Sequence, residues 1–337
     1  MSGHVRRGAL LLAVLAAALL AGCSPYKIAG DQLFRFGEKQ IFPHELAGQD
    51  LGIGCAAAIA FTGPAIGFET VGTNVDQLGE MILLTSGVCV ELEALEHELA
   101  FLRAMRLQQP VPAQDARIAQ KRLHILAAKR ERLAYQRFQK MYGDLPEGKC
   151  PKFRNDFDEL VYIVGLLAGV QAMVNDAQAN QFLNISRDIA PKTIYQSRCI
   201  NGRKWWDLPD AMQAALWQVA PMLAPAELKE SPMATLHRVA ARGKRDGVRL
   251  GHVVWAMAAV NSGDYAAARA ALRDFTAIDA SWQPDAQYRI LDVIAGEIMQ
   301  AVSDRLWTEA VGHRTPMGAL GTFWDDVPAQ ADIEDLL

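Results

Sequence analysis

Strand-forming sequence is what this chain lacks most. No run of alternating β-branched residues bounded by turn residues competes with the helical patterns along its 337 residues. The sequence therefore predicts an all-α body without significant sheet. An excess of one charge is also missing. The 34 Lys and Arg against 38 Asp and Glu leave −4, which provides no basic footprint for nucleic acid. The absence of a Gly-x-Ser-x-Gly elbow removes the usual serine-hydrolase signature. His97-Glu98 starts like a zinc-protease motif, yet the position of its second His is Phe101. His97, His124 and Glu93 on neighbouring helices would suit zinc, but helix-face histidines are far commoner. Gly52-Ile53-Gly54-Cys55-Ala56-Ala57 has the shape of a dinucleotide fingerprint with no strand before it. Asp292, Glu297, Asp304 and Glu309 lie 5, 7 and 5 residues apart, which scatters them around a helix and predicts a solvated face. No catalytic constellation and no cofactor are expected. An envelope enzyme with distant catalytic partners stays as a third option.

The most informative feature present is the N-terminus. Arg6-Arg7 precede an uncharged core from Gly8 to Leu19, followed by Leu20-Ala21-Gly22-Cys23. A basic start, a short apolar core and small residues describe an export signal over residues 1–22. The core falls short of the roughly 20 residues a membrane span needs. Ending on Cys, the segment resembles the lipobox of bacterial lipoproteins. The resemblance implies cleavage before Cys23, acylation of its thiol and a soluble body held to membrane lipid. Ser24 in the next position implies the outer membrane, at its periplasmic face. An ordinary signal peptide ending near a Cys is the alternative.

Lipidation of Cys23 leaves Cys55, Cys89, Cys150 and Cys199, an even number in a compartment that permits disulfides. Cys55–Cys89 and Cys150–Cys199 are the expected pairs, because the intervening segments read as helical hairpins that bring their ends together. Four buried free thiols are the alternative.

Residues 23–50, rich in Gly and Pro, read as a tether and irregular leading segment. Residues 51–326 read as a single helical domain and 327–337 as an acidic tail. Residues 51–68 carry no charge, and the sequence predicts a buried helix there that turns at Gly63-Pro64. Val88, Leu92, Leu95, Leu99 and Leu102 form an apolar seam at helical spacing. Pro110 and Pro112 end that helix, and a basic one follows over 114–142. The two must lie antiparallel, with Glu91, Glu93, Glu96 and Glu98 facing the basic residues across the seam. Residues 156–181 are apolar on every side except Gln171 from 160 to 174, as in a central helix. Residues 182–203 read as irregular, and Asp207-Leu208-Pro209 as a capped helix start.

Gly263-Asp264-Tyr265 with Ala268 is similar to the turn of a tetratricopeptide repeat, where Tyr packs in the seam and Ala allows close approach. One such unit is found. Together with the lipobox and the long hairpins, it resembles the TatT lipoproteins, TPR-like subunits associated with TRAP-type transporters. That resemblance implies stacked antiparallel hairpins, protein partners, and self-association as a trimer around a pore. The first functional expectation is thus a non-enzymatic scaffold or transport-accessory lipoprotein. The second is a carrier of a lipid or small organic ligand between helices, with Trp205, Trp206, Trp217 and Trp255 lining the pocket. The C-terminal stretch carrying Trp307, His313, Arg314 and Trp324 has the aromatic and guanidinium content of a binding surface. It would equally serve as a plug folded onto the end of the helical stack.

Overall fold

Apolar spacing turns into paired helices in the computed structural model, which describes residues 24–326. The signal segment, Cys23 and the acidic tail lie outside the described residues. Among those described, every regular element is a helix. The seam Val88–Leu102 belongs to a helix of 31 residues, Asp76–Arg106, longer than its periodic part. A turn through Gln108, in the left-handed region at φ 55°, reverses the chain. The next helix, Pro110–Tyr142, takes Pro110 into its first turn, where the missing N–H costs nothing. The central helix Asp156–Gln178 is N-capped by Asn155, whose side chain accepts from the Asp158 amide at 2.9 Å.

In chain order the helices are α1 (Pro25–Phe36), α2 (Phe42–Leu46), α3 (Leu51–Thr70), α4 (Asp76–Arg106), α5 (Pro110–Tyr142) and α6 (Asp156–Gln178). They continue as α7 (Ile189–Gln196), α8 (Leu208–Val219), α9 (Pro232–Arg245), α10 (Leu250–Asn261), α11 (Tyr265–Thr276) and α12 (Arg289–Val311). Long α4, α5 and α6 pack side by side, and short α8–α11 with α12 form a second group. Fully buried alanines at 127, 128 and 134 let α5 approach its neighbours closely. On α6, Gly165 and Gly169 leave room for Phe138 and Tyr135. A Cβ on Gly165 would sit 2.2 Å from a Phe138 ring carbon. Gly165→Ala is therefore expected to cost a net 1–2 kcal/mol, roughly, overpacking outweighing the gain in helix propensity. Gly296 in α12 has open space around it, and Gly296→Ala should stabilise by up to about 1 kcal/mol. Urea unfolding of both variants measures the contrast.

Sulfur bridges fix two of the connections. Cys55 on α3 is joined to Cys89 on α4. Cys150, in the α5–α6 connection, is joined to Cys199 just after α7. Each closes a loop whose restriction in the unfolded chain is worth roughly 2–4 kcal/mol.

Several expectations are corrected. Residues 25–46 are largely helical, because the glycines at 30 and 37 lie where α1 and the turn after it press on Phe68, Thr73 and Leu78. Helix α3 continues through Gly63-Pro64 instead of turning there. That helix is also mostly exposed instead of buried. Helix α7 occupies part of the stretch read as irregular, with Pro191 in its first turn. Asp207 starts α8 in the left-handed region and does not cap it; its carboxylate accepts from Arg242 at 3.0 Å. Tyr265 is 44% exposed and does not pack in the seam, although Ala268 is fully buried. Glu96 and Glu98 do not pair with the basic residues of α5, and Glu91 meets the Glu131 carboxyl there instead of a cation. Glu96 pairs with Arg314 and Glu98 with Arg305, while Arg137 of α5 reaches Asp76 at the opposite end. Asp292 and Asp304 are buried. The first takes Arg249 in a bidentate pair at 2.8 and 2.7 Å, and the second accepts the Thr315 amide.

Candidate functional site

Between the long-helix group and the short-helix group lies a cavity of about 730 Å³. Ligand pockets run from roughly 300 to 1,000 Å³, so this one is large enough for a substantial organic molecule. Its walls come from α3, α4, α5, α6, α8, α10 and α12, with α1 and α2 on one side. The reason is geometric. Helices of unequal length meet along aliphatic stripes, and side chains such as Val88, Leu167, Val174, Val254, Ile294 and Ile298 do not reach across the gap. Water gains little in such a space, whereas an apolar chain would remove both surfaces from water.

One wall carries a hydrogen-bonded polar cluster, while Glu45 of α2, Asn261 of α10 and the Glu98–Arg305 pair of α4 and α12 border the cavity as well. Glu91 of α4, Gln120 and His124 of α5, and Gln171 and Asn175 of α6 all border the cavity. The Asn175 amide donates to Glu91 and also to Glu131, the latter at 2.8 Å. Gln171 donates to Glu91 at 3.2 Å. His124 donates from Nδ1 to the Asn175 carbonyl oxygen at 2.7 Å, and Gln120 donates to its Nε2 at 3.4 Å. Burial lowers the His124 pKa, consistent with that neutral ring. Glu131 is fully buried behind the wall. Burial and then the adjacent Glu91 carboxylate push Glu131 up to about 10, so it keeps its proton at neutral pH. Burial also raises Glu91, to about 6. Glu91 is the member of the pair that opens onto the cavity, and it presents acceptor oxygens there.

This cluster has a stability consequence with a definite sign. Carboxyls raised above their unfolded value of 4.5 favour the folded state fully below that value, and the advantage is lost as pH rises towards the folded pKa. Glu80, buried with both oxygens unpartnered, is raised as well and acts in the same direction. Stability should fall between pH 5 and 8, by at most about 1.4 kcal/mol per unit for each retained proton. Glu131→Gln, which still donates and accepts, should flatten the slope. Urea midpoints across this range measure it, and a slope unchanged by the variant would count against the assignment.

The residues expected to bind a partner lie elsewhere. Trp307 donates from Nε1 to the Thr322 carbonyl at 3.1 Å and packs edge-on against Trp324. His313 tilts against Trp307, and Arg314 pairs with Glu96 of α4. Phe323 is buried beneath the Arg269 and Arg273 guanidinium groups. The stretch folds back onto α11 and α12 and does not border the cavity. Nor do the tryptophans expected to line a pocket. Trp205 and Trp206 pack edge-on with Tyr288 in the core, and Trp255 packs against His237. The apolar lining is aliphatic side chains with Phe34, Phe42 and Phe61, and no indole among the described residues borders it. Gly52 and Gly54 lie in the first turn of α3, with no strand before them. Among the described residues no group of three His, Cys, Asp or Glu could hold a metal ion. The chemistry the cavity offers is sequestration, with hydrogen bonding at one wall.

Sequence reasoning missed the polar wall. Its signals were present: Gln171 and Asn175 one turn apart in an otherwise apolar helix, and Glu131 among alanines in a basic one. Compared with known proteins, the chain matches no family model, no curated protein and no solved structure.

Proposed function

We propose that this chain is a lipid-anchored envelope protein whose helical body carries an amphiphile, its apolar chain in the cavity and its headgroup at Glu91. The observation that supports the reading is the cavity itself, about 730 Å³ of mostly apolar lining with the hydrogen-bonded cluster of Glu91, Gln120, His124, Gln171 and Asn175 on one wall. A headgroup that donates hydrogen bonds, an amine or a hydroxyl, complements the Glu91 acceptors. The anchor is the acylated Cys23 inferred from the lipobox, placed at the periplasmic face of the outer membrane. The candidate partner residues pack within the chain: Arg314 pairs with Glu96 of α4, and Trp307 holds Thr322 and Trp324 of the C-terminal stretch.

Competition against a fluorescent acyl-chain probe tests the reading. Long-chain amines and alcohols should displace the probe, and the amine should outcompete the carboxylate of equal length. Failure of the chain to take up the probe or any of the three amphiphiles would overturn it.

A further inference from the structure

Helix α3 has two apolar faces, and the cavity accounts for only one. Leu51, Gly54, Ala58 and Phe61 line the cavity at helical spacing. On the opposite face Ile53, Ile59 and Ile66 are 60%, 52% and 56% exposed. No charged residue occurs from Leu51 to Phe68, and only 11% of the helix's most apolar stretch is buried. A continuous apolar face of this kind marks a contact surface, since soluble monomers seldom expose one.

The chain's own geometry indicates what covers it. Helix α1 begins two residues after Cys23, and its first turns pack on the C-terminal end of α3. The Lys27 carbonyl accepts from the Thr73 hydroxyl at 3.4 Å, and the Phe34 and Phe68 rings meet edge-on at 6.3 Å. An acyl group on Cys23 would therefore hold this end of α3 at a bilayer. Tyr26, two residues on from the anchor's neighbour Ser24, is 70% exposed and supplies an interfacial aromatic side chain close to Cys23 in the chain. We propose that the outer face of α3 lies on the bilayer that Cys23 anchors, so that a single helix separates the cavity from lipid. The proposal rests on the lipid-anchored reading for its orientation. Lying, and not spanning, follows from the Cys55–Cys89 bridge, which holds α3 along its length against α4, and from the face of α3 that lines the cavity. A spanning α3 would draw the buried, charge-bearing α4 and its Asp76–Arg137 pair into the hydrocarbon with it.

The test uses the full mature chain carrying Cys23→Ala, which has no anchor, floated with vesicles of equal parts phosphatidylethanolamine and phosphatidylglycerol. The anchor-free chain is expected to co-float and to be released by alkaline carbonate. Ile59→Asp with Ile66→Asp should lower the bound fraction about tenfold or more, with unchanged helical content and melting temperature. An anchor-free chain that stays with the soluble fraction would overturn the proposal. So would a dimer dissolved by the same two substitutions, which would make the face a contact between copies, or resistance to carbonate, which would make α3 a span. Acylation is read separately, from the mass of the N-terminal peptide of the unaltered chain, and cavity occupancy from probe uptake. Loss of either leaves the flotation result interpretable.

Discussion

Asp292→Ala is expected to lower stability by about 3–5 kcal/mol, the largest single-residue effect in the short-helix group. Asp292, in the first turn of α12, accepts from the Arg249 backbone amide at 3.2 Å and from its guanidinium at 2.8 and 2.7 Å. That guanidinium also donates to the Phe275 carbonyl at 2.9 Å and lies over the Phe275 and Trp282 rings. Removing the carboxylate leaves an arginine charge in a largely apolar enclosure. The desolvation cost of that charge remains, and the attraction that offset it is gone. Replacing both members, Arg249→Met with Asp292→Leu, should cost less than the single variant, because no charge is stranded. Urea unfolding with both variants is the measurement. A loss below about 1 kcal/mol for Asp292→Ala would show that the pair is solvated.

Filling the cavity should abolish binding without unfolding the chain. Leu167 on α6 and Ile298 on α12 both border the empty space. Leu167→Trp with Ile298→Trp adds two indoles where no side chain has to give way. Affinity for an acyl-chain probe is expected to fall by about 100-fold, equivalent to roughly 2.7 kcal/mol, with the melting temperature held or raised. Unaltered affinity in a folded variant would place the binding elsewhere. An unfolded variant would show that these walls already touch.

The two largest features of the molecule differ in how far the sequence reveals them. The α4–α5 hairpin is legible because Val88 to Leu102 repeat at helical spacing and Pro110 marks the break, although the second helix starts at Pro110 itself and not near 114. Both cysteine pairings follow from reading residues 55–89 and 150–199 as hairpins, which return their ends to one place. Helix α3 shows the limit. An uncharged segment specifies apolar surroundings on all sides but not whether protein or lipid supplies them. The cavity is hidden for a related reason. Leu167 and Val174 have the spacing of core residues, and only the unequal reach of the facing helices leaves space between them. The Glu91, Glu131 and Asn175 cluster joins three helices across 84 residues of chain, beyond any local pattern. Asp292 and Asp304 were misread because spacing reports the face of a helix and not what packs on it.

Native mass spectrometry of the full acylated chain, purified from its own membrane in a non-displacing detergent, tests the central account most directly. The expected result is a single bound amphiphile with a hydrogen-bond-donating headgroup, lost in Leu167→Trp with Ile298→Trp. A chain that carries no ligand, and takes up none when long-chain amines and alcohols are offered, would contradict it.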